Sequence, residues 1–131
     1  MDAANALADL AEISSQIEAA VVLDEDGAVA ASTLDDAARA DSIARVARDL
    51  LAAGDDLRSG ERKLVQLEVA LREGSVFVVR DQRASIAATT TPGPTSGLVF
   101  YDLKSCLQAL AEKPAPKPRA RPAKKKAATD A

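Results

Sequence analysis

Histidine and tryptophan are absent from the 131 residues, cysteine occurs once, as Cys106, and the aromatics are limited to Phe77, Phe100 and Tyr101. Without histidine there is no Ser-His or Cys-His nucleophile pair, no imidazole general base and no His-containing zinc site. A single thiol closes no internal disulfide and builds no four-cysteine metal site, so a reducing cytoplasm is the default expectation. Long hydrophobic runs are also missing. Apolar stretches of about five residues fall far below the ~18 to 20 that span a bilayer. Met1-Asp2 offers neither the basic flank nor the apolar core of a secretory signal. A soluble, cytoplasmic, non-enzymatic protein without cofactor, metal or integral membrane segment is expected.

What is present divides into two unlike pieces. The formal net charge is -3. Residues 113–131 carry seven basic side chains and one acid, a balance of +6, which leaves -9 on residues 1–112. The same stretch holds four of the six prolines, Pro114, Pro116, Pro118 and Pro122, among alanines, lysines and arginines. It has no apolar face to bury and its charges repel one another, so a disordered, partly polyproline-like tail is predicted there. The folded domain is assigned to residues 1–112, where the 47% apolar content of the chain is enough for one core.

Within that domain the hydrophobic period changes repeatedly. Leu7, Leu10, Ser14 and Ile17 recur at helical spacing, predicting a first helix over 4–17. Ala19-Ala20-Val21-Val22-Leu23 and Ala28-Val29-Ala30-Ala31 flank Asp24-Glu25-Asp26-Gly27, a hairpin signal because glycine supplies the positive φ of a tight turn. Asp35 and Asp36 offer an N-cap to a helix over 37–57. Residues 63–72 alternate as a strand, with Val65, Leu67, Val69 and Leu71 on one face. Val76-Phe77-Val78-Val79 and a strand over 84–91 complete an antiparallel meander. Pro92-Gly93-Pro94 stops it, Thr95 or Ser96 caps a last helix, and Val99, Leu103, Cys106, Leu107 and Leu110 share one face. The order is α-β-β-α-β-β-β-α.

Two features point to self-association. The runs apolar on both faces, 19–23 and 76–79, belong at central positions, which leaves the alternating strand 63–72 at an edge, where a long strand invites pairing. The apolar arc of the 37–57 helix spans roughly 180°, wider than the ~100° that packing on one surface requires. Ala40, Ala44 and Ala47 within it suit the close approach of another helix, or reflect only that alanine is the best helix former. A homodimer joining this strand and helix to their symmetry mates accounts for both features.

The segment from Ala19 to Ser32, an apolar strand, an Asp-containing turn ending in Gly27 and a small-residue strand ending in serine, resembles the first hairpin of the roadblock / dynein light chain family. Thr95-Ser96-Gly97-Leu98-Val99 is similar to that family's entry into its last helix, and the resemblance covers about residues 4–112. It implies an α/β (α+β) sandwich with a five-stranded antiparallel sheet in the order 2-1-5-4-3 and helices on both faces. It also implies a dimer through the edge strand and adjacent helix, and, as in MglB-like bacterial members, binding or regulation of a small Ras-like GTPase. The self-contact is assigned to Ala40, Ala44, Ala47 and Leu51 of the helix and Leu64, Gln66, Glu68 and Ala70 of the strand. The link 89–94 is more proline-rich than is usual in the family, and the last helix continues into the basic tail.

The remaining candidates divide between binding and structural roles. Asp24, Glu25 and Asp26 match no EF-hand loop, because an acid would be needed at Val22 and the distal glutamate is missing; a solvated turn accounts for them. No G-x-x-x-x-G-K-[ST] motif occurs, so the chain is not itself a P-loop GTPase. Arg45 and Arg48 are candidate contacts to a GTPase, which an arginine can serve in trans; their alternative role is as solvated charges near Asp41 and Asp49. Cys106 falls on an apolar stripe as a core residue. Lys117, Arg119, Arg121, Lys124, Lys125 and Lys126 are candidate electrostatic contacts to nucleic acid or an anionic membrane, although without aromatics for stacking they are unsuited to reading a sequence. A small-molecule sensor is a third possibility, disfavoured by the few aromatics.

Overall fold

A computed structural model describes residues 2–57 and 65–111. Local chemistry sets the first half. Asp2 caps helix α1 (Ala3–Ile13), its carboxylate accepting from the Asn5 amide at 2.8 Å. The helix ends earlier than its hydrophobic period predicts. Ser14 is an extended C-cap, and Ile17, assigned above to the helix, opens strand β1 (Ile17–Leu23) opposite Thr90. At the first hairpin the Asp24 carboxylate accepts from the amides of Asp26 and Ala28, and Gly27 adopts φ 84° before β2 (Val29–Ser32). Asp36 then caps α2 (Ala37–Asp56) through the amides of Ala38 and Arg39.

Strands β3 (Gln66–Leu71), β4 (Gly74–Arg80) and β5 (Ser85–Thr90) form the meander, and α3 (Ser96–Ala111) follows. The Thr95 carbonyl accepts from the amides of Leu98 and Val99 at the start of α3. The five strands form one antiparallel sheet in the order β2-β1-β5-β4-β3, as the family resemblance implies.

Period-two alternation sends neighbouring residues of each strand to opposite faces. Ala20, Val22, Phe77, Val79, Ile86 and Ala88 face α1 and α3, where Leu7, Leu10, Val99, Leu103 and Cys106 complete one core. Phe77 meets Phe100 edge to face at 5.0 Å, the arrangement aromatic quadrupoles favour. Val21, Leu23, Val78 and Ala87 face α2 and form a second core with Ala40, Ala44, Ala47 and Leu51. Among the described residues no helix is long and apolar enough to cross a membrane. The predicted tail, 113–131, lies outside the described residues.

Candidate functional site

Helix α2 packs on β1, β2 and β5. Its buried stripe is Ala40, Ala44, Ala47 and Leu51. These four residues, assigned above to a helix–helix contact between copies, are turned into the protein's own sheet. The physical reason lies in the opposing surface. Three small side chains let the helix axis settle against Val21, Val78 and the small Ala87, and a second helix has no access to a face already covered.

The excess width of the arc belongs to larger residues on one flank. Ile43 and Leu50 are half-buried at the margin of the α2 core, and on the sheet side Leu67 of β3 and Val76 of β4 stand at the same margin. Beyond them Val46 is 42% exposed, Val65 60% and Leu71 56%. Leu67 and Val69 pair with Val78 and Val76, so the alternating apolar face of β3 lies on the α2 side of the sheet. Among the described residues β3 is also an edge strand, hydrogen-bonded along one side only, to β4. An apolar helix flank therefore adjoins an apolar strand whose outer ladder is open, the combination that sheet edges otherwise avoid.

The other strand positions assigned to the contact project to the opposite sheet face. Gln66 is half-buried, Glu68 and Ala70 are exposed, and Glu68 accepts a 2.9 Å hydrogen bond from the Ser96 hydroxyl at the start of α3. Leu64 lies outside the described residues.

The candidate arginines differ in their engagement. Arg45 is exposed on α2. Arg48 donates to the Gly27 carbonyl oxygen at 2.7 Å, pinning the helix to the β1–β2 turn. A pairing not anticipated from the sequence lies nearby: Arg80, at the end of β4, holds Asp55 near the C-terminus of α2 through two bonds of 2.7 and 3.1 Å. No local spacing in the sequence announces it, since 25 residues separate the partners. Cys106 lies in the core, where burial, with a smaller contribution from Asp9, pushes its thiol up to about 11; the environment is the reverse of the electropositive one that activates a cysteine. Lys117, Arg119, Arg121, Lys124, Lys125 and Lys126 lie outside the described residues.

Solved structures share this fold. A Roadblock/LC7 domain from Streptomyces avermitilis is 21% identical, with a TM-score of 0.75 over 85% of this chain and 96% of that one. The fold is that of the Roadblock/LC7 domain. MglB of Myxococcus xanthus superposes with a TM-score of 0.65 at 16% identity, over 84% of this chain and 89% of its own. An MglB described in a tetrameric arrangement gives 0.71 at 19% identity, over 83% and 85%. No family model and no curated protein matches the sequence. At these identities the roadblock likeness rests on the path of the backbone.

Proposed function

We propose that the protein is a non-enzymatic homodimeric scaffold that binds a small Ras-like GTPase. The observation that carries this reading is the continuous apolar margin of Ile43, Val46, Leu50, Leu67 and Val76 beside the open edge of β3. Two copies meeting there about a two-fold axis would pair β3 with β3 and cover both helix flanks, satisfying the outer ladder and removing apolar surface from water together. The family resemblance supports the same geometry. It also supports the GTPase, which would dock on the surface made by the paired α2 helices, with Arg45 the better placed of the two candidate arginines because Arg48 is engaged with Gly27.

Sedimentation velocity at micromolar concentration tests the dimer: the full chain runs as a dimer and Val46→Glu, at an exposed position, shifts it to monomer. A chain that stays monomeric at high micromolar concentration overturns the assembly. Affinity purification of the full chain from its own cells, with GTP or GDP added, tests the partner. A nucleotide-dependent small GTPase is the expected prey, and its loss in Arg45→Glu would locate the contact.

A further inference from the structure

A cleft of about 920 Å³ opens at the end of the molecule away from the Gly74 turn. Its walls come from four separate places: the start of α1, the β1–β2 turn, the β4–β5 turn and the last turns of α3. Leu107, Leu110 and Ala84 supply apolar surface, while Asp2, Asp24, Glu25, Asp26 and Asp81 bring carboxylates to its rim. Among the described residues, Arg83 is the one basic lining residue and none of these five acids forms an ion pair. Three of them are held in place by backbone amides: Asp2 by Asn5, Asp24 by Asp26 and Ala28, and Asp81 by Arg83 and Ala84. The carbonyl end of α3 points the negative pole of its dipole at the same region. Fixed negative charge thus surrounds an apolar floor, the reverse of what a phosphate or nucleotide requires.

We propose that this cleft receives the chain's own segment 113–122, in cis. The segment starts two residues beyond Ala111, the last residue of the helix that forms one wall. From Ala111 to Lys117 is a reach of about 20 Å when extended, and Leu107 and Leu110 in the last turns of the same helix already line the cleft. Charge is complementary: Lys113, Lys117, Arg119 and Arg121 are its only ionisable residues. Composition fits as well. Lys117, Arg119 and Arg121 are interleaved with Pro118, Ala120 and Pro122, so the short stretch carries cations for the rim together with small apolar groups for the floor. Tethering removes most of the entropic cost of association, so individually weak contacts suffice. Capture would hold the basic residues away from other polyanions and cover the two acidic turns.

Paramagnetic broadening in the full chain tests this. A nitroxide on Ala120→Cys is placed selectively, since Cys106 is buried and its thiol is pushed up to about 11. Amides of 24–26 and 81–84 broaden at low salt and recover in about 0.5 M NaCl, where the Debye length falls to about 4 Å. Glu25→Gln with Asp26→Asn, side chains that make no hydrogen bond among the described residues, reduces the broadening at least about twofold in the same buffer, as expected for a contact made by charge. Spin-labelled chain mixed with isotope-labelled chain lacking the nitroxide leaves those amides sharp. Broadening in that mixture would mean delivery from a second copy, and uniform or absent broadening at low salt would mean no docking; either result overturns the proposal.

Discussion

Gly74 shows how one residue can carry a conformational demand that no other side chain meets. It opens β4 at φ 152°, and a β-carbon there would overlap the carbonyl oxygen of Thr90 in the neighbouring strand. Since that oxygen belongs to backbone held in the sheet, relief would require strand movement. Gly74→Ala is expected to destabilise the fold by about 3 kcal/mol, read as a lower urea midpoint. Cys106 gives a pH signature. Its thiol ionises at about 11 in the fold against 9.0 in the unfolded chain, chiefly through burial, so the unfolded chain loses its proton first. The stabilisation is whole below pH 9 and declines as pH rises from 9 towards 11. The stability difference between the parent protein and Cys106→Ala should narrow across that window and stay constant below it.

At the scale of elements, α2 shows what periodicity can and cannot decide. The width of its apolar arc was legible, and so was the need for two contacts. Which part of the arc faces inward was not, because the choice depends on the small residues of β5 and the valines of β1 and β4, distant in sequence. Ala44 is fully buried against the sheet. Ala44→Leu is therefore expected to overpack the α2 core and cost about 1 to 3 kcal/mol in chemical denaturation; a stripe facing a second helix would instead alter the association constant and leave the protomer intact. The first hairpin was legible because its determinants, Asp24 and Gly27, lie within the turn. The end of α1 was not, because long-range contacts set it: the Gln16 carbonyl accepts from Thr91, and the Gln16 side chain accepts from the Thr95 amide at 2.6 Å. These draw residues 16 and 17 into the sheet despite their helical spacing. The Arg80–Asp55 pair escaped the sequence for the same reason, since 25 residues separate the partners.

Across the whole molecule, the order β2-β1-β5-β4-β3 sets the two halves of the chain side by side, joined along β1 and β5. β1 and β5, paired from Ile17–Thr90 to Leu23–Ser85, form the centre of the sheet, and α1 packs against α3. Everything N-terminal to the α2–β3 connection contributes one side of this seam and everything C-terminal contributes the other. Neither half has a closed core of its own: the first would expose one edge of β1, the second one edge of β5, each rich in valine, isoleucine or alanine. The seam makes the protein a natural split system. Two separately expressed pieces, 1–60 and 61–131, are expected to recombine into a single species with one thermal unfolding transition, checked by native mass spectrometry. Each piece alone should aggregate or remain unfolded. Folding of the intact chain must therefore wait for a contact about 70 residues apart in sequence, a separation at which loop closure slows the search, so the hairpin cannot mature into native structure until the last strand has been made.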